Sequence, residues 1–268
     1  MKVIQSRDNP FYKELIKLIG SSRQRGKVNQ TLLDGAHLLA AYLDAGLLPH
    51  QLLVNAAAAH DAEISRLLDR AASVPVTQLD DKLFAELSEL KTPTGILALI
   101  DIPQSAAPIA DSRFALLLED IQDPGNLGSM LRSAAAAGCD AVYLSQGSAD
   151  SWSPKVLRAA MGGHFAFRQG SGQAMRIYER QDLLSVAKEF PGTLLAASLQ
   201  ATCSLYECDL RGNVAFMIGN EGAGLSAGLL NLATQKISIP MPGKIESLNA
   251  AAATAVCLFE SVRQRLVH

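Results

Sequence analysis

The sequence predicts an α/β protein in two parts: a C-terminal domain built on a mostly parallel sheet, and a smaller N-terminal α/β domain. Three observations carry this. Short apolar runs alternate with stretches of helical periodicity along the whole chain. Two late runs, ending at Ile218 and Ile239, open straight into the turns Gly219-Asn220-Glu221-Gly222-Ala223-Gly224 and Pro240-Met241-Pro242-Gly243, and strand-end turns are where parallel sheets hold ligands. Between the halves lies Asp101-Ile102-Pro103-Gln104-Ser105-Ala106-Ala107-Pro108, a Pro- and Ala-rich linker, so the expected domains are 1–105 and 106–268.

The first part follows in order. After Asn9-Pro10, the spacing of Phe11, Leu15, Leu18 and Ile19 is helical, and Gly20-Ser21-Ser22 is expected to end that helix in a loop. Leu32-Leu33 reads as a strand, Ala36 to Ala45 as a helix stopped by Gly46, and Leu52-Leu53-Val54 as a second strand. A helix from Ala62 to Ala71, the Val74–Val76 pair and Ile96 to Ile100 complete the module.

In the second part, Phe114 to Leu118 is a fully apolar strand of the kind covered on both faces. Asn126 is a suitable N-cap for a helix over Leu127 to Ala137, closed by Gly138. Ala141 to Leu144 is a strand, Lys155 to Ala160 a helix, and Tyr178 to Glu189 another helix. Strands follow at Leu194 to Ser198, Val214 to Ile218 and Ile237 to Ile239, before a last alanine-rich helix from about Leu248 to Arg265.

Composition narrows the function. Hydrophobic residues make up 49% and charged residues 19%, which excludes long disordered regions, and no apolar run is long enough to cross a bilayer. The chain opens Met1-Lys2-Val3-Ile4-Gln5-Ser6-Arg7-Asp8 and turns polar at once, so a cytoplasmic location and no membrane partner are expected. Cys139, Cys203, Cys208 and Cys257 form no CxxC pair and lack histidines at finger spacing, which points to reduced thiols and no metal. Net charge is −2, but residues 1–30 hold Lys2, Arg7, Lys13, Lys17, Arg23, Arg25 and Lys27 against Asp8 and Glu14. Such a stretch is either a phosphate-contacting surface or the solvated face of a first helix.

Three turns hold the candidate chemistry. In Asn126-Leu127-Gly128-Ser129-Met130-Leu131-Arg132, a cap at Asn126 puts Arg132 on the second turn, within reach of the same pocket, although a capped helix with one surface arginine is commonplace. The glycine-rich turn at 219–224 is not a dinucleotide or P-loop fingerprint: the spacing is wrong, and Glu221 would repel a pyrophosphate. Glu221 suits a cationic or hydroxyl-bearing ligand, or else is a solvated turn residue. Ser247 and Asn249 flank Leu248 where the last helix begins, and Ser247 either caps that helix or faces a ligand. Ala250 to Ala253 allow close approach at its first turn. His37, His164 and Trp152 read as structural.

Together, and in this order, Asn126-x-Gly128-x-x-x-Arg132, Ile218-Gly219-Asn220-Glu221-Gly222-x-Gly224-Leu225-Ser226, and Ile239-Pro240-Met241-x-Gly243 with Glu246-Ser247-Leu248-Asn249 resemble the signature of the SpoU (TrmH) family of RNA ribose 2′-O-methyltransferases, within the SPOUT superfamily. The resemblance covers about residues 113 to 265. The N-terminal module, from Leu33-Asp34-Gly35 to Gly95-Ile96, looks like the small RNA substrate-binding domain often fused to this family, with Asp34 where Glu is common.

The resemblance implies a deep trefoil knot in the C-terminal sheet and S-adenosyl-L-methionine bound there by turns around Ser198, Gly219, Ile239, Met241 and Leu248. It implies methyl transfer to a ribose 2′-hydroxyl, with Arg132, Asn126, Glu221, Ser247 and Asn249 as the catalytic group and no metal. The partner implied is RNA, ribosomal in preference to transfer RNA, contacted by Arg132 and by Arg158, Arg7, Arg23 and Arg25. The family works as a homodimer in which the arginine matching Arg132 serves the other subunit's site. A guanidinium keeps its proton in proteins, so Arg132 fits a phosphate-holding, alkoxide-stabilising cation better than a base. The rival readings are an RNA-binding or assembly factor of the same fold without turnover, and an unrelated nucleotide-cofactor enzyme.

Overall fold

In the computed structural model, residues 2–90, 92–105, 112–167 and 175–267 are described; Ala106, Ala107 and Pro108 of the expected linker lie outside them. The described chain falls into two compact units. One joins residues 1–103 with 152–165, and the other joins residues 104–151 with 166–268.

The first unit runs β1 (Lys2–Ile4), α1 (Pro10–Gly20), α2 (Ser22–Val28), β2 (Gln30–Asp34), α3 (Ala36–Asp44), β3 (Gln51–Val54), α4 (Ala62–Arg70), β4 (Val76–Leu79), α5 (Asp81–Leu87) and β5 (Ile96–Asp101). Its sheet has the order β1-β4-β3-β5-β2, parallel across the first three strands and antiparallel across the last two pairs. Tyr12, Leu15 and Leu18 of α1 pack with Leu53, Phe84 and Leu97 in its core. At the end of α1 the chain forms no loop. Ser21 accepts the N–H of Gln24 and starts α2, while Arg25 donates through Nη1 to the Leu18 and Ile19 carbonyls that α1 leaves open. A capping serine therefore turned an expected stop into a second start.

The second unit continues with β6 (Phe114–Leu118), α6 (Pro124–Ala137) and β7 (Ala141–Ser145). Next in the chain is α7 (Pro154–Ala160), whose segment clusters with the first unit: Thr31 Oγ1 donates to the Trp152 carbonyl at 2.7 Å, and Tyr42 meets Phe165 edge-on at 5.1 Å. A linear division at 105 assigns this segment to the C-terminal part. The second unit then adds β8 (Ile177–Gln181), α8 (Leu183–Glu189), β9 (Thr193–Ala197), β10 (Cys203–Ser204), β11 (Val214–Ile218), α9 (Ala227–Leu232), β12 (Gln235–Ser238) and α10 (Ala250–Leu266).

These seven strands pair in parallel throughout, in the order β10-β12-β9-β11-β6-β7-β8. Every residue of the central pair β6 and β11 is buried, as continuous apolar runs require. The single helix expected over Tyr178 to Glu189 is instead a strand and a helix. Tyr178 stacks on Tyr143 at 4.8 Å as β8 joins β7, and Asp182 then caps α8 through the N–H of Leu184. Tertiary packing of the tyrosine pair outweighs the local helical period. Among the described residues no helix is long and apolar enough to cross a membrane.

Candidate active site

Because β12, β9, β11 and β6 are parallel neighbours, their carboxyl ends lie along one edge of the sheet. Those ends lead into Ile239, Ser198, Gly219 and Glu119. The turn after β11 is closed by two backbone bonds, Asn220 N–H to the Gly224 carbonyl at 3.1 Å and Gly224 N–H to the Asn220 carbonyl at 2.9 Å. A Cβ on Gly219 would stand 2.2–2.3 Å from the Gly224 carbonyl and the Leu225 nitrogen. That glycine makes room for the chain's own backbone, not for a ligand. Asn220 Oδ1 accepts from the N–H groups of Gly222 and Ala223, so the turn presents Glu221 at its tip.

Helix α6 begins three residues before the expected Leu127. Its cap is Asp123, whose carboxylate accepts the Asn126 N–H at 2.7 Å, with Pro124 in the first helical position. Asn126 is thus not a cap, and its amide is free to reach outward. At the other end of the site, α10 begins at Ala250 and is capped by Asn249, not by Ser247: Asn249 Oδ1 accepts from Ala251 and Ala252.

These two caps generate the central feature. With its oxygen committed to α10, Asn249 must present Nδ2, which donates to Asn126 Oδ1 at 2.9 Å. Asn126 in turn presents Nδ2 to Glu221 Oε1 at 2.8 Å. Three residues spread over 123 positions of sequence form one bridge, with each amide orientation fixed by its neighbour. Glu221 and Asn249 are exposed and Asn126 is half-buried, and the second carboxylate oxygen of Glu221 carries no hydrogen bond among the described residues.

The other expected residues divide. Ser198 donates its backbone N–H to Ile237 and accepts the Gln200 N–H on Oγ, holding the end of β9 against β12. Ile239, Met241, Ser247 and Leu248 lie on the segment between β12 and α10, which joins no helix or strand and is exposed from Pro242 to Asn249. Arg132 is exposed on α6, but it is six residues beyond Asn126, about 9 Å along the axis and about 120° around it.

Of the remaining arginines, two are ion-paired, one is buried and one is exposed. Arg158 pairs with Glu89 at 3.0 Å within the first unit, and Arg7 pairs with Glu86. Arg25 is only 4% exposed and serves α1, which removes it as a surface RNA contact; Arg23 is exposed. Sequence reading missed Asp123, Asp120 and Ser145, and gave no role to Asn220 of the signature, although all four hold the site turns. The Asp123-Pro124 pair was a readable cap signal; the others act through folded contacts alone.

The model of the SpoU rRNA Methylase family matches residues 113–259, and that of the MRM3-like substrate binding domain matches residues 9–98. The chain belongs to the SpoU rRNA methylase family. It is 35% identical over 98% of its length to an uncharacterized tRNA/rRNA methyltransferase of Synechocystis, covering 94% of that protein. It is 32% identical over 97% to the 23S rRNA (guanosine(2553)-2′-O)-methyltransferase RlmP of Bacillus subtilis, covering 98% of that protein. Among solved structures, the SpoU methyltransferase AviRb of Streptomyces viridochromogenes, crystallised with AdoMet, superposes with a TM-score of 0.82 at 26% identity, over 97% of this chain and 100% of AviRb.

Proposed function

We propose that this SpoU family member is a cytoplasmic S-adenosylmethionine-dependent RNA methyltransferase that transfers methyl to a ribose 2′-hydroxyl, of ribosomal RNA in preference to transfer RNA, and that it works as a homodimer. The observation that carries the reading is the Glu221–Asn126–Asn249 bridge, which ties the three signature turns into one site. Full-length similarity to a 2′-O-methyltransferase of 23S rRNA supports the acceptor.

The residues present fit the donor. Ser198, Gly219 and Ile239 follow adjacent strands, and the unpaired backbone from Ile239 to Leu248 supplies carbonyls and amides beside them. Leu199, Ile245 and Leu248, exposed by 73%, 74% and 42%, offer apolar cover for a purine face. S-adenosylmethionine, when bound, supplies an electrophilic methyl group on a sulfonium. The protein's part is positional. Fixing the acceptor oxygen in line with that methyl contributes roughly 7–11 kcal/mol in favourable cases. In this reading Glu221 and Asn126 orient the acceptor end, Asn249 couples them to α10, and Ser247 and Met241 line the donor segment. The threading of that segment into a trefoil knot belongs to the same proposal.

The position of Arg132 favours a dimer. The exposed stripe Gly125, Ser129, Arg132 and Ala136 on α6 is small apart from the arginine, which allows a second copy to pack closely and deliver its guanidinium to the partner's Glu221. Arg132→Ala and Glu221→Ala proteins, each inactive alone, should on mixing recover about a quarter of wild-type methyl transfer, because half the dimers are mixed and each of those has one intact site. No recovery would place Arg132 in the site of its own chain. The substrate is tested by mass-spectrometric mapping of ribose methylation in cells with and without the gene: one rRNA nucleotide should lose its methyl group, and loss confined to tRNA would redirect the reading.

A further inference from the structure

We propose that Asp120, which belongs to none of the signature turns, is a positioning residue that sets the geometry of Glu221 through Asn220. The inference rests on the methyltransferase reading and extends it to the floor of the site.

Asp120 follows β6 and Glu119 and adopts a left-handed backbone at φ 53°, a conformation disfavoured for a residue with a side chain. Three contacts hold it there. Its N–H donates to Ser145 Oγ at 2.8 Å, and the Ser145 hydroxyl donates back to Asp120 Oδ1 at 2.5 Å. The carboxylate fills the space over Gly147, where a Cβ would come within 2.3 Å of Oδ1. So anchored, Asp120 turns its carbonyl to Asn220 Nδ2, at 2.9 Å.

That contact selects the orientation of the Asn220 amide. With Nδ2 on Asp120, Oδ1 faces the Gly222 and Ala223 N–H groups, at 2.9 and 3.0 Å. Those two bonds bracket Glu221, which holds Asn126, which holds Asn249. Glu119 reinforces the same turn from the neighbouring position, since its carboxylate accepts the Ser226 N–H at 2.7 Å. Ser145 and Asp120 thus form the fixed end of a chain of bonds whose free end is the site.

The test reads both activity and backbone protection. Asp120→Ala forfeits the hydroxyl anchor; Asp120→Asn keeps an Oδ1 acceptor and a residue type that tolerates the left-handed region. Asp120→Ala should lower kcat about tenfold, with KM for donor and RNA and the donor Kd within about threefold of wild type, while Asp120→Asn stays within about twofold. Ser145→Ala, which deletes one oxygen, should reproduce the loss and stands in should Asp120→Ala not fold. Adding Asp120→Ala to Asn220→Ala should cost no more than about a further twofold, as residues in one network behave.

Hydrogen–deuterium exchange of the peptide holding Gly222 and Ala223 should quicken in Asp120→Ala and Ser145→Ala but not in Asp120→Asn. This readout needs no turnover, so it remains informative should the wild-type chain prove inactive on every RNA offered. Wild-type kcat and exchange in Ser145→Ala, equal damage from Asp120→Asn, or multiplied losses in the double variant would each overturn the proposal.

Discussion

Asn126 shows how a residue can be identified from sequence for a role the fold then changes. Its spacing to Gly128 and Arg132 was legible, but the capping role went to Asp123, which precedes a proline suited to the first helical position. Freed from the backbone, the amide works as a two-ended connector, accepting from Asn249 and donating to Glu221. Such a connector must be able to donate at one end. Asn126→Asp cannot, and it would set a carboxylate against the carboxylate of Glu221. Asn126→Ala merely opens a gap. Single-turnover methyl transfer is therefore expected to fall further in Asn126→Asp than in Asn126→Ala, by roughly another tenfold, the usual weight of about 1.4 kcal/mol. The reverse order would mean that Glu221 does not depend on a donor at 126.

At the scale of elements, the strands were readable wherever burial on both faces made the run continuously apolar, as in β6 and β11. They were unreadable where a lone tyrosine pair or a two-residue pairing decided the matter, as in β8 and β10. The starts of α3 and α4 were read at Ala36 and Ala62, whereas those of α6 and α10 were misjudged by three and two residues because several capping residues compete near each, and only the folded backbone selects one. The glycine turn after β11 was found, but its reason was not. Space at Gly219 is taken by backbone 2.2–2.3 Å away, whereas a Cβ on Gly222 would meet only Asn220 Oδ1 at 3.5 Å. Gly219→Ala should accordingly lower stability by about 1–3 kcal/mol in denaturant titration, as forced overpacking does. Gly222→Ala should leave the midpoint close to wild type. Asp123→Ala should cost about 1 kcal/mol as a lost cap and should also weaken activity, because it loosens the turn that aims Asn126.

Over the whole molecule, the balance of buried carboxylates sets how stability responds to pH. In the second unit, burial pushes Glu179 above the ordinary carboxylate range, with Asp150 adding to the rise; the N–H and hydroxyl of Ser151 and the charge of Arg180 oppose it without prevailing. Burial also raises Asp34 in the first unit, against Ser88 and the Glu89 N–H. An acid whose folded pKa lies above its unfolded one contributes fully below the unfolded value, and that contribution is lost as pH rises through the folded value. Glu260 acts in the opposite sense: Arg263 lowers it, so its contribution is lost as pH falls. A neutral isostere separates these opposing effects. The N–H and the hydroxyl of Ser151 both donate to Oε1 of Glu179, so Glu179→Gln keeps an acceptor for Ser151 while removing the buried charge. Asp34 accepts on both oxygens, and Asp34→Asn would turn an amide donor toward Ser88 or Glu89. Thermal unfolding measured from pH 4 to pH 8 should therefore find Glu179→Gln level with wild type at the acid end and increasingly more stable toward pH 8, while Asp34→Asn stays below wild type throughout. A Glu179→Gln protein that lost stability as pH rose would mean that Ser151 and Arg180 outweigh burial, and that this carboxylate is held as an anion.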